Sequence, residues 1–237
     1  MNLENFWVAN DCCWPAKTTY NLGPWIIRCG KGGGKRVSAA TRNGGFVVSD
    51  VILAEDAMRE LSQPPMFRIY KDDEELDSAL SKIGYSIIDP STIYSCNINK
   101  ISTLNLPLVT AFTVWPPLHL MEEIWLSGGI GLERLAVMDR TMHPKTSILG
   151  RINNKASGCA FVSTYKNIAT IHAVHVLPSS RRLGLGRYML IAAANWAMER
   201  GCLYFSLISS DSNEKAKQLY TKLGMEPIGH YHYRIKT

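Results

Sequence analysis

The sequence lacks any cysteine pattern with a recognisable purpose. Six cysteines stand at Cys12, Cys13, Cys29, Cys96, Cys159 and Cys202, with no C-x-x-C and no Cys/His cluster at zinc spacing. That excludes a disulfide framework and predicts no metal site. The adjacent Cys12–Cys13 pair reads as reduced packing residues, in a reducing, cytoplasmic setting. Long apolar runs are missing as well. The longest candidate, Met189–Met198, is interrupted by Asn195 and falls far short of the roughly 20 residues a membrane span needs. It predicts a buried soluble helix and no membrane association. The opening "MNLENFWVANDCCW" has neither the charged nor the apolar region of a signal peptide. A concentrated charge of one sign is also absent. The net charge of +6 is spread along the chain, which fits phosphate binding of some kind but predicts no nucleic-acid partner.

What is present describes a folded protein. At 237 residues the chain is long enough for one large domain or two small ones, and 46% hydrophobic against 19% charged residues excludes general disorder. The C-terminal half is the more legible. "TSILGRI" and "SGCAFVSTYKN" predict two strands joined at "NNKA", and "IATIHAVHV" predicts a third, ended by Pro178. A helix is expected from about Gly186 to Arg200, stopped by Gly201. "CLYFSLIS" reads as a buried strand, "SDSNEKAKQLYTKLG" as a capped helix stopped by Gly224, and "IGHYHYRI" as a last strand. The order β-β-β-α-β-α-β is an α/β pattern. In the N-terminal half, strands around Trp25 and Phe67 and helices over Asp50–Ser62 and Asp72–Gly84 are expected, followed by an extended run from Tyr85.

One turn stands out chemically. Between the third C-terminal strand and its helix lies Arg181-Arg182-Leu183-Gly184-Leu185-Gly186, followed by Arg187. Glycine lets the backbone come close to a ligand. The first turn of a helix offers unsatisfied N–H groups and the positive end of its dipole. Together with guanidinium charge these suit a pyrophosphate. The stretch is not a dinucleotide fingerprint, because Met189 stands where the third glycine belongs, and no Lys-Ser/Thr follows as a Walker motif requires. "GKGGGKR", Gly30 to Arg36, lacks that spacing too and reads as a flexible hairpin loop.

The run "VHVLPSSRRLGLGRYML" resembles the acetyl-CoA motif of the GNAT superfamily of N-acetyltransferases, R/Q-x-x-G-x-G/A between a strand and a helix. "NEKAKQLYTKLGM", about 30 residues on, is similar to that superfamily's second signature, with Met225 where Phe is common. The resemblance covers roughly Leu118 to Thr237. It implies a mixed, mostly antiparallel central sheet flanked by helices, acetyl-CoA as cosubstrate and direct transfer to an amine. It also implies site residues. Backbone N–H groups of Arg182, Leu183, Gly184, Leu185, Gly186 and Arg187 would hold the pyrophosphate, with Arg181 at the rim. Val174, His175 and Val176 would pair with the pantetheine arm, Asn213 would lie beside it, and Tyr220 would protonate the leaving thiolate. Members often carry a glutamate on the strand where this chain has His172 and His175. Strict alternation puts these two on opposite faces, with His172 sharing a face with Val174 and Val176. His172 is the expected base, with Glu122, Glu123 and Glu133 as alternatives.

The two halves also align on each other at an offset of 140 residues: Gly84-Tyr85 falls on Gly224-Met225, Gly44 on Gly184, Phe46 on Gly186, Thr41 on Arg181 and Leu80 on Tyr220. This predicts two tandem GNAT-like lobes. Residues 1–115 form a degenerate lobe that binds no acetyl-CoA and contributes to the substrate cleft, and residues 116–237 form the catalytic domain. The expected acceptor is a primary amine of a small molecule or amino acid. A protein acetyltransferase, a non-catalytic CoA-binding sensor and a homodimer remain open.

Overall fold

The computed structural model describes residues 1–236; Thr237, the last residue of the expected catalytic domain, lies outside the described residues. The elements run α1 (Leu3–Cys13), β1 (Thr18–Leu22), β2 (Trp25–Cys29), β3 (Thr41–Arg42), α2 (Asp50–Glu60), β4 (Met66–Tyr70), α3 (Glu74–Lys82), β5 (Ser86–Asn97), α4 (Asn99–Ser102), β6 (Ala111–Val114), α5 (His119–Ser127), α6 (Leu132–Arg140), β7 (Lys145–Ile152), β8 (Lys155–Tyr165), β9 (Ile168–Val176), α7 (Leu185–Met198), β10 (Tyr204–Ser210), α8 (Glu214–Lys222) and β11 (Glu226–Ile235). The fold is mixed α/β with a mostly antiparallel sheet and flanking helices, as the sequence predicts.

The chain forms two compact units, and neither is a continuous segment like 1–115 or 116–237. The first takes Met1–Pro15, Ile93–Ser209 and Asn213–Ile228; the second takes Ala16–Thr92, Ser210–Ser212 and the chain from Gly229. Compactness follows strand pairing and side-chain burial rather than chain order. Helix α1 packs on β8 and β9, and β5 lies beside β10, so α1 and the Ile93–Asn97 end of β5 join the first unit. The end of β11 pairs antiparallel with β4, Tyr231 opposite Tyr70 through Ile235 opposite Met66, and so joins the second.

In the first unit β6, β7, β8 and β9 run antiparallel in order, and β10 joins β9 in parallel. Strand β8 is buried on both faces, which explains its nearly unbroken apolar run. One face carries Ile148, Ala160, Val162, Ala169 and Ile171 against Leu185, Met189 and Leu190 of α7. Gly150 lets that helix sit close: a Cβ there would lie 2.7 Å from the Met189 sulfur. The alternate residues Phe161, Ser163, Thr170 and His172 are also buried, on the side where Trp14 covers the sheet.

The second unit is built on Trp25, Ile27, Phe67, Ile69, Leu76 and Leu80. Strands β1, β2 and β3 form an antiparallel sheet, with the glycine-rich "GKGGGKR" between β2 and β3. The 140-residue correspondence is visible in the elements. At that offset α3 falls on α8 residue for residue, β5 and β11 begin together, and β4 ends where β10 ends.

Candidate active site

The site in the first unit starts from an irregularity in β9. Between Phe161↔His172 and Cys159↔His175 the register shifts, so that one extra residue of β9 is inserted against β8. Ala173 takes the strain with φ of +52°. Its carbonyl accepts a 2.8 Å hydrogen bond from the indole Nε1 of Trp125, a fully buried residue of α5. This bulge corrects the expectation of strict alternation. His172 does not share a face with Val174 and Val176. Those two valines pack with Ile171 in the α7 cluster, and both histidines turn to the other side.

The histidines differ in setting. His172 is 5% exposed, stacked on Trp14 with ring centroids 4.8 Å apart, and its Nε2 lies 2.9 Å from the Thr170 hydroxyl. The structure places the expected base inside the packing beneath α1. His175 lies against Gly128 at the end of α5, so closely that a Cβ on Gly128 would come 2.4 Å from its Nδ1. Its Nε2 is buried and has no hydrogen-bond partner among the described residues. Burial, and then the nearby Arg181 guanidinium, hold its pKa below the usual imidazole value. The imidazole is therefore neutral at pH 7. The alternative carboxylates lie elsewhere: Glu122 and Glu123 flank the exposed His119 at 3.4 and 3.5 Å, and Glu133 is exposed in the first turn of α6.

The bulge also opens the sheet. Pairing of β9 with β10 covers Ile168–Ile171 against Tyr204–Leu207. Beyond it, His175 and Val176 pair with β8. Their other backbone edge is where an extended ligand arm can add as a strand does.

The basic turn follows. Arg182 and Gly184 take φ of +68° and +81°, and Gly184 is the N-cap of α7. The first bond closing the helix runs from the Tyr188 N–H to the Gly184 carbonyl at 3.2 Å. Among the described residues, the six amides from Arg182 to Arg187 have no backbone acceptor. Successive amides at a left-handed turn and a helix start form a concave anion cradle. Arg181 is tied back by a 3.0 Å bond from Nε to the Val176 carbonyl, which links the turn to the strand. Buried Leu185 anchors the turn on the sheet. Gly186 has a role the sequence reading did not give it: a Cβ there would meet Leu219 of α8 at 3.4 Å. A methyl group would fit there at an ordinary contact, and a larger side chain would press on α8.

Asn213 is the N-cap of α8, its Oδ1 accepting the Ala216 N–H at 3.2 Å. Tyr220, two turns on, is 8% exposed and lies 5.5 Å from the Tyr94 ring. Its hydroxyl takes no hydrogen bond from the described residues. Burial, with Tyr94 adding, pushes its pKa up to about 12. Among the described residues no group of three His, Cys, Asp or Glu side chains gathers as a metal site, and no helix is long and apolar enough to cross a membrane.

A strand splayed at a bulge, a run of amides without backbone acceptors at the next helix and a phenol on the following one thus succeed one another along β9, α7 and α8. Residues 114–225 match the model of the Acetyltransferase (GNAT) family, and the chain carries a GNAT acetyltransferase domain. It is 25% identical over 237 residues to an uncharacterized N-acetyltransferase of Bacillus subtilis, YobR, covering 94% of each chain. Its fold is similar to a GCN5-related N-acetyltransferase from Kribbella flavida, with a TM-score of 0.67, 16% identity and coverage of 100% and 96%. A tandem GNAT protein from the clavulanic acid biosynthesis pathway is similar at a TM-score of 0.61 and 12% identity, with 84% of this chain and 74% of that one covered.

Proposed function

We propose that the chain transfers an acetyl group from acetyl-CoA directly to the primary amine of a small molecule or amino acid. The observation that carries this reading is the run of six amides without backbone acceptors between Arg182 and Arg187. It matches the row of oxygens on a pyrophosphate, with Arg187 and Arg182 adding charge. The backbone of Val174–Val176 aligns the pantetheine arm, and Asn213 fixes the start of α8. The bound cosubstrate supplies the activated acyl group as a thioester. His175, neutral by burial, accepts the acceptor's ammonium proton at Nε2, directly or through water. This replaces His172, which the Trp14 stack encloses. Tyr220 keeps its proton across the neutral range and donates it to the departing sulfur. In the N-terminal half we propose a degenerate copy without a phosphate cradle, because Phe46 stands at the place of Gly186.

A thiol-release screen of amines and amino acids with acetyl-CoA tests the reading. Release of CoA with at least one small amine, accompanied by N-acetyl product, is the expected result. Tight CoA binding without turnover on any amine or peptide would instead make the chain a CoA sensor. Turnover on peptides alone would make it a protein acetyltransferase.

A further inference from the structure

Asn195 interrupts the apolar run of α7, and nothing in the transfer reaction uses it. The structure places it in the wall of a cavity of about 340 Å³ within the first unit, toward the C-terminal end of the helix that the basic turn begins, lined also by Leu106, Phe112, Thr113, Trp196 and Glu199. Among the described residues its amide oxygen is buried without a partner, and its amide nitrogen has no hydrogen bond. Leaving such a group unpaired costs about 1–3 kcal/mol, so a helix otherwise packed with alanine and leucine has a reason to keep it. The rest of the wall completes a pattern. Phe112 is 38% exposed, with the Arg151 guanidinium 5.8 Å from its ring centroid on one side. The Trp196 ring is fixed beneath the Arg200 guanidinium, 4.1 Å from its centroid. Among the described residues the Glu199 carboxylate has only Arg200, at 3.8 Å, as an ion-pair partner.

We infer that this cavity binds a small heteroaromatic amine of the aminopurine or aminopyrimidine class. An amide with both ends unsatisfied matches an edge with an adjacent donor and acceptor, the pairing asparagine makes with the amino group and ring nitrogen of adenine. A carboxylate accepts from an exocyclic amino group in the same way, and an aromatic face supports the ring. Rotation of the Asn195 amide by half a turn presents either end to the ligand.

The test is calorimetric titration of the full chain with adenine and with cytosine, in the presence and absence of saturating acetyl-CoA. Expected is binding that acetyl-CoA does not displace and that Asn195→Leu weakens by about ten-fold or more. Glu199→Gln weakens it to a lesser degree, and acetyl transfer persists in both variants. Phe112→Ala, at an exposed position, serves as a second variant if Asn195→Leu fails to fold. No binding of either base at millimolar concentration overturns the inference and leaves the cavity to water. So does displacement by acetyl-CoA, which assigns the binding to the cosubstrate site, or equal binding by wild type and variants.

Discussion

Replacing Tyr220 with phenylalanine removes one oxygen and separates two explanations of that residue by the size of the loss in kcat. The hydroxyl sits in a nearly buried side chain with no hydrogen bond from the described residues. If the ring only packs, deleting an unsatisfied hydroxyl leaves stability unchanged or raises it by about 1 kcal/mol, with activity intact. If the hydroxyl protonates the departing thiolate, kcat falls by about 10²- to 10⁴-fold while stability still does not fall. The pH dependence provides a second readout. Burial raises the folded-state pKa from 10.0 to about 12. The neutral phenol's contribution is therefore fully present below pH 10 and is lost as pH rises through 12. That loss amounts to about 3 kcal/mol, and Tyr220→Phe does not suffer it. Chemical denaturation at pH 8 and pH 11.5, beside initial rates of thiol release at saturating acetyl-CoA, measures both effects. A variant that keeps more than about one tenth of the wild-type kcat refutes the acid role.

Gly128→Ala brings a methyl group to within 2.4 Å of the His175 Nδ1 and must displace the imidazole, at a residue whose φ of −97° imposes no backbone strain. It lowers kcat/KM at least about ten-fold, as His175→Ala does, and the double variant is no worse than His175→Ala; additive losses would separate the two residues. Because burial and Arg181 both depress the His175 pKa, the acid limb of kcat/KM lies below pH 6.5, and Arg181→Gln moves it upward. Gly186→Ala retains acetyl-CoA binding, since its methyl meets Leu219 at an ordinary contact of 3.4 Å, whereas Gly186→Phe wedges α7 from α8 and loses both binding and thermal stability. Titration calorimetry finds one acetyl-CoA per chain; two equivalent sites would refute the degenerate copy.

The parts of this chain that obey local rules were legible in its sequence. Helix α8 is announced by Asn213 and stopped by Gly224, and α3 by the acidic start at Glu74 and Gly84, so their boundaries and the 140-residue correspondence are readable. The basic turn was readable because its chemistry lies in adjacent residues. What was not readable depends on residues distant in sequence. The bulge at Ala173 carries no local signal, since alanine is an ordinary strand residue, and its cause is the Trp125 indole reaching its carbonyl from 48 residues away. Without the bulge, alternation assigns the wrong face to His172. Helix α1 joins the first unit through Trp14 on His172 and through Thr141 donating to the Cys13 carbonyl at 3.1 Å, contacts across more than a hundred residues. The role of Gly128 was hidden for the same reason: nothing near it in the chain indicates that an imidazole fills its missing side chain.

The repeat explains why one turn of the pair keeps its chemistry and the other does not. At the 140-residue offset Val47 falls on Arg187, the last of the six amides without a backbone acceptor. In the N-terminal copy that amide is taken: the Val47 N–H donates to the Asp50 carboxylate at 2.9 Å. A carboxylate there occupies the donor and repels any phosphate that approaches. Phe46 completes the change by packing on Trp25, with ring centroids 5.8 Å apart and Arg42 over its face. So the arginine nearest the lost site is engaged with an aromatic ring and, at 3.0 Å, with Asp73 rather than offered to an anion. Restoring glycine at position 46 alone would free the Arg42 guanidinium from the ring but leave its Asp73 pair and the Asp50 carboxylate in place. Among the described residues, the turn at Arg181–Arg187 thus has its arginines beside amides without backbone acceptors, whereas the corresponding turn has one amide taken by a carboxylate and Phe46 packed, partly buried, against the Trp25 cluster.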